Sequence, residues 1–362
     1  MSPTKPALTS TPAFQAQAGT EVTNPTSISA AQTSANAVLP PAPDTPPDTD
    51  GRVKLANVAV GQLVRGRYRV GRMWHIVRSG AASFWVVQLV DRTGSLRAYG
   101  WPDKVVIQTP LSEGTLVDVE FAIKLVHGPQ GKLYRFDAAT NVTAVDLIAT
   151  LPLHVCPIPG VIDGVYEVVR NLRIPALQRF LAQVFDDYDL CRRYFQVPAS
   201  FGDHHSEQGG MARHCLDGAR LLTSIAGLED WMRELAVVCF LVHDIGKTWT
   251  NSKLPLHFEC YHLVEHDDLS LELLAGALKQ LDLDWPHGGL AVRHCLTCAS
   301  PGARYGKKAA MPFAEFVHAV DRLSQLTDLV QRFCASDGVM KKREDGRRIW
   351  QPTKPPGVAN SC

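Results

Sequence analysis

Apolar and polar positions alternate with period two from about residue 58 to residue 145. Val64, Tyr68 and Val70 fall on one face of a first strand, with Arg65, Arg67 and Arg69 on the other. Ser83 to Val90 forms a second strand, and a turn at Asp91-Arg-Thr-Gly94 leads into a third from Ser95 to Trp101. The fourth runs from Thr115 to Val126. After a turn at Gly128-Pro-Gln-Gly131, the fifth covers Lys132 to Val142. Residues 146–170 carry scattered prolines (Pro152, Pro157, Pro159) and read as a linker. Beyond them the period becomes helical. Helices are predicted over Ile174–Phe195, Met211–Ala226, Glu229–His243, Glu265–Leu281, Gly288–Cys298 and Pro312–Ala335. Gly246, just past the third of these, fits a left-handed residue that stops the helix.

Five short strands with glycine turns in under a hundred residues predict a small Greek-key barrel, OB-like in kind. The fold class is therefore α+β with two domains: a five-stranded barrel at 56–145, then an all-α helical bundle at 171–335. Residues 1–50 are rich in Ser, Thr, Pro and Ala and nearly free of large apolar side chains. That composition predicts a disordered tail. Residues 336–362, with Lys341-Lys-Arg343 and Arg347-Arg348, read as a basic flexible tail.

With 45% hydrophobic and 20% charged residues, the chain can bury a sizeable core. A net charge of +1 leaves no global basic field, so any nucleic-acid contact must rest on local patches. One such patch is predicted on the barrel, where Arg65, Arg67, Arg69 and Arg97 stand near Tyr99 and Trp101. Cations for a backbone and aromatic faces for bases are what a single strand of RNA or DNA requires. Most of the barrel aromatics (Trp74, Phe84, Trp85, Tyr134 and Phe136 among them) are expected to fill its interior. Tyr99 and Trp101 alternate with small residues, which leaves that pair for the surface. The nine scattered cysteines and the lack of a long apolar run predict a reducing, cytoplasmic setting and no membrane partner.

The candidate chemistry lies in the helical half. An apolar helical run ends in His243-Asp244-Ile245-Gly246-Lys247, placing an imidazole beside a carboxylate, both good ligands for a divalent metal. Lys247 is a flexible point charge suited to a phosphate. His204-His205 precede Gly209-Gly210 and a helix bearing His214; His266 follows, and the last helix holds His318 and Asp321. Several helices would thus bring imidazoles and carboxylates to one pocket.

In that order and at helical positions, His214, His243-Asp244 and Asp321 resemble the HD superfamily of metal-dependent phosphohydrolases, over about residues 170–335. The run His204-His205-x-x-x-Gly209-Gly210-x-x-x-His214 is similar to that of the YhaM-type 3′-5′ exoribonucleases, which also place an OB-fold before the HD domain. It is similar too to the HD domain of TraI-type conjugative relaxases. The resemblance implies a divalent metal (Mn, Mg, Fe or Zn) held by His214, His243, Asp244 and Asp321. His204, His205 and His266 would serve a second metal or the phosphate, and Lys247 would contact the phosphate. Asp244, Lys247 and His266 would be catalytic in a nuclease acting on single-stranded nucleic acid. The relaxase likeness implies instead a DNA-processing or binding accessory of a conjugative element. Where the exoribonucleases carry His-His-Gly, this chain reads Cys298-Ala299-Ser300-Pro301. Ligands for a second metal are therefore absent there, with His287, His294 and Cys298 as the candidate substitutes.

Overall fold

The computed structural model describes residues 53–107, 110–126, 128–202, 204–252, 255–299, 304, 306–333, 341–342 and 348–349. The tail expected at 1–50 lies outside them. Strands β1 (Leu63–Arg78), β2 (Ala81–Val90), β3 (Ser95–Gly100), β4 (Leu116–Leu125) and β5 (Pro129–Ala138) close into a barrel in the order β1-β2-β3-β5-β4. Only the β3–β5 pairing is parallel. Val64, Tyr68 and Val70 face inward, packed with Leu89, Ala98, Val119, Phe121, Ile123 and Leu133. The period-two pattern thus becomes a filled barrel interior, giving the α+β architecture expected. The aromatics depart from expectation. Of those expected inside, only Phe136 is buried, while Trp74, Phe84, Trp85 and Tyr134 stay at least partly exposed; Tyr99 and Trp101, expected at the surface, are partly exposed. Tyr68, Phe121 and aliphatic residues already fill so small an interior.

The three arginines of β1, expected to contact nucleic acid, are engaged within the fold. In the β1–β4 register Arg65 stands opposite Glu120 and Arg67 opposite Asp118. Arg65 bonds Glu120 at 2.7 Å. Arg67 forks onto Asp118 at 2.8 and 2.9 Å and reaches Asp146 at 2.9 Å. Arg69 is 1% exposed; it donates to the carbonyls of Gly114 and Leu147 at 2.7 Å each and lies over the Tyr188 ring. The alternation predicted the face correctly but could not show acids and a helix pressed against it. Arg67 and Arg69 join the barrel to the helices, and Arg69 is closed to a phosphate.

The stretch expected to be a linker contains two helices, α1 (Ala144–Ala149) and α2 (Val161–Arg170). Thr143 and Asp146 cap α1 reciprocally. Ile148, Leu151, Ile162, Val165 and Val169 are buried in the helical core. The prolines lie between or ahead of these helices, so they break no helical hydrogen bond. One predicted helix is two, α3 (Pro175–Asp186) and α4 (Tyr188–Tyr194), because Asp187 leaves helical geometry and caps α4 at Leu190 N. Next come α5 (Gly210–Ser224), α6 (Asp230–Val242), α7 (Lys247–Thr250), α8 (Pro255–Leu263), α9 (His266–Asp284), α10 (Pro286–Thr297) and α11 (Pro312–Phe333). Every residue from Leu235 to Val242 is buried, which makes α6 the central rod of the bundle. In the stretch expected to be a basic tail, Lys341–Lys342 (β6) pairs with Arg348–Ile349 (β7). The remainder of that stretch lies outside the described residues. No described helix is long and apolar enough to cross a membrane.

Candidate metal centre

Three helices and one loop bring the candidate ligands together. His214 projects from the middle of α5 and is fully buried. His243 and Asp244 follow the last turn of α6, and Asp321 sits midway along α11. His214 Nε2 lies 3.1 Å from Asp321 Oδ1 and 3.8 Å from Asp244 Oδ2. His243 Nε2 lies 3.4 Å from Asp244 Oδ2 and 3.7 Å from Asp321 Oδ1. Two atoms bound at about 2.1 Å to one ion at a tetrahedral angle would stand roughly 3.4 Å apart, so these separations suit a shared cation. The two Nε2 atoms are buried and neither makes a hydrogen bond. Their Nδ1 atoms are engaged, His243 with the Phe240 carbonyl at 2.7 Å and His214 with Ser324 Oγ at 3.0 Å. An imidazole anchored through Nδ1 offers Nε2 as a lone pair, the usual arrangement of a metal-binding histidine. The donor set therefore fits a divalent ion.

Asp244 is 3% exposed and faces His243, Lys247 and His266. Lys247 Nζ donates to its Oδ2 at 2.7 Å, and His266 Nε2 stands 3.4 Å from its Oδ1. Burial pushes the Asp244 carboxyl up, but the His243 and Lys247 charges outweigh it and hold it well below the usual carboxylate range. Burial likewise opposes ionisation of Asp321, yet the His214 and His243 imidazoles beside it hold it well below the usual carboxylate range. His243 shows the reverse: burial lowers it, but Asp244 and Asp321 raise it to about 9. His214, fully buried, is held below its usual value by desolvation. Lys247 is thus an inner partner of Asp244 here, with 13% of its side chain exposed.

Gly246 corrects the sequence reading. Its φ of −59° is right-handed, so it is no left-handed stop. A Cβ there would collide with the His266 carbonyl oxygen. Glycine instead lets α9 approach the His243-Asp244 turn, where Gly246 N donates to Ser270 Oγ at 2.8 Å.

His204 and His205 are buried close to His214, with ring centroids 5.7 and 5.4 Å away. His205 belongs to a second group, with Glu207 and Asp328, whose ligand atoms lie within 4.8 Å of one another. Ser324 and Asp328 escaped the sequence reading, although with Asp321 they sit at i, i+3 and i+7 on α11, a single helical face. The candidate substitutes are engaged elsewhere: His294 Nε2 accepts from Ala310 N, and Cys298 Sγ lies 3.1 Å from His318 Nε2. His287 and His294 line an apolar groove with Trp231, Trp285 and Phe313. On the barrel, Phe84, Tyr99 and Trp101 form an aromatic cluster with centroids 5.7–6.1 Å apart, and Arg97 is exposed on the same strand.

No family model matches the chain. It is similar to a protein of Bacillus velezensis (strain DSM 23117 / BGSC 10A6 / LMG 26770 / FZB42) named 3′-5′ exoribonuclease YhaM. The two are 24% identical over 288 residues, covering 75% of this chain and 88% of the relative.

Proposed function

We propose that this chain is a metal-dependent phosphodiesterase acting on single-stranded nucleic acid, with His214, His243, Asp244 and Asp321 holding one divalent ion. The observation that carries the reading is the convergence of two buried, unbonded imidazole nitrogens on the carboxylates of Asp244 and Asp321. Bound there, the ion (Mn, Mg, Fe or Zn) would bring its water toward ionisation at neutral pH and polarise the phosphoryl oxygen. Asp244, kept ionised by its cationic partners, orients the site. In this reading His266 acts from beside Asp244 Oδ1, 3.4 Å away, and Lys247 supplies fixed positive charge near the phosphate. Tyr99, Trp101 and Phe84 give bases a stacking platform, with Arg97 for the backbone. A relative named as a 3′-5′ exoribonuclease, aligned over most of both chains, supports RNA as substrate and attack from the 3′ end.

A second reading has its own support. With Ala299-Ser300 in place of His-His, and with His294 and Cys298 engaged elsewhere, the site lacks the His-His pair that the resemblance implies beside His204, His205 and His266. The chain would then be a nucleic-acid-binding accessory of the relaxase-associated kind. Incubation of purified protein with 5′-labelled single-stranded RNA and DNA, in Mn²⁺ or Mg²⁺, separates the two. Stepwise shortening from the 3′ end is expected. Retention of intact strands, under conditions where a YhaM-type enzyme digests them, would favour the accessory.

A further inference from the structure

Beyond the ligands, a chain of buried polar groups runs away from the centre. His214 Nδ1 meets Ser324 Oγ at 3.0 Å, and the same hydroxyl lies 3.4 Å from His205 Nε2. His205 Nδ1 is 3.5 Å from Asp328 Oδ1, a charge contact longer than a hydrogen bond, and Asp328 Oδ2 accepts the His205 backbone N–H at 2.8 Å. None of these residues is more than 8% exposed. His205 sits at φ +43°, a left-handed conformation that costs a residue other than glycine about 1–3 kcal/mol and persists only where its surroundings impose it.

We infer that Asp328, His205 and Ser324 form a positioning relay that holds His214 with its proton on Nδ1, its Nε2 lone pair turned toward His243 and Asp321. The inference rests on the metal reading above. Proton counting sets the direction. To bind an ion through Nε2, neutral His214 must carry its proton on Nδ1 and donate it to Ser324 Oγ. The Ser324 hydroxyl proton is then free to go to His205 Nε2. His205 so accepts at Nε2 and carries its own proton on Nδ1, facing the negative Asp328 oxygen. Run the other way, the chain would put a proton on His214 Nε2, where an ion needs a lone pair. It would also set the bare Nδ1 lone pair of His205 against the Asp328 carboxylate. The charge of Asp328 therefore selects the tautomer of a ligand three contacts along the chain. His205, expected as a second-metal or phosphate residue, becomes a positioning residue.

Mn²⁺ binding to the full-length chain tests this, with the free ion followed by electron paramagnetic resonance and folding checked by circular dichroism. Ser324→Ala and Asp328→Asn should weaken Mn²⁺ binding by about 10- to 100-fold while the count at saturation stays that of the parent. Ser324→Thr, which keeps the hydroxyl, should bind more tightly than Ser324→Ala. Unchanged affinity in Ser324→Ala, or Thr as weak as Ala, would overturn the relay. A lower count in Asp328→Asn with unchanged affinity for the remaining ion would instead make His205 and Asp328 ligands themselves. If the parent chain takes up no Mn²⁺, the metal reading falls, and the relay with it.

Discussion

Replacing Arg69 by alanine separates the two roles considered for the β1 arginines. The substitution removes two charge-assisted hydrogen bonds, to the carbonyls of Gly114 and Leu147, at a buried junction, and leaves Leu147 O with the longer contact from Thr150 Oγ1 at 3.4 Å. Each such loss is worth about 1.5–3 kcal/mol. The contact over Tyr188 adds about 1–2 kcal/mol. Against this, the variant no longer buries a guanidinium that has only carbonyls for acceptors, which returns part of the cost. A net destabilisation of about 3–5 kcal/mol follows. Arg69→Met, which keeps most of the volume without the charge, should lose roughly 1–3 kcal/mol. Arg65→Ala, whose side chain is 73% exposed in a surface pair, should leave stability close to that of the parent. Urea unfolding followed by far-ultraviolet circular dichroism measures all three. In parallel, anisotropy of a labelled single-stranded oligonucleotide at several salt concentrations should give the same slope for folded Arg69→Met as for the parent. A stable Arg69→Ala protein with a slope shallower by about one would refute the structural role and restore the phosphate contact.

Other expectations follow from the same geometry. Tyr99→Ala and Trp101→Ala should each weaken single-strand binding by about 1–3 kcal/mol with little change in salt slope, because stacking carries no charge; unaltered affinity in a titration would remove that platform. In the metal-free protein His243 is held up at about 9 by Asp244 and Asp321 against its burial, so an ion must displace a proton from it. Apparent metal affinity should therefore rise about tenfold per pH unit from pH 7 to 9, and a flat profile in chelator competition would contradict that. The same shift stabilises the metal-free fold fully below the ordinary histidine value of 6.5, an advantage lost as pH rises through about 9. Gly246→Ala should cost about 1–3 kcal/mol through the collision with His266, whereas Gly276→Ala, on an exposed face of α9 with open space around it, should gain about 0.5–1 kcal/mol. Melting curves of the pair check the contrast.

The barrel was readable because its strands alternate cleanly, and Val64, Tyr68 and Val70 could face only a core. Its arginines were not, since alternation assigns a face without revealing what packs on it. Asp118 and Asp146 lie 51 and 79 residues beyond Arg67, a pairing no local pattern discloses. The prolines of 146–170 suggested a break, while the spacing of Ile162, Val165 and Val169 already carried the helix that is there. At the candidate centre, residue type and order picked out His214, His243, Asp244 and Asp321, which the fold brings together. Gly246 was noticed for a turn it does not make, because the close approach of α9 is a tertiary fact. Ser324 and Asp328 passed unnoticed since a serine and an aspartate on an amphipathic helix are ordinary until their face is known.

The metal content of the purified full-length chain, and of a His243→Ala/Asp244→Ala double variant, measured by mass spectrometry, tests the central claim most directly. The account predicts at least one divalent ion per parent chain and none in the variant, with helical content kept in both. A parent chain without metal, or a variant that retains the parental amount, would contradict it.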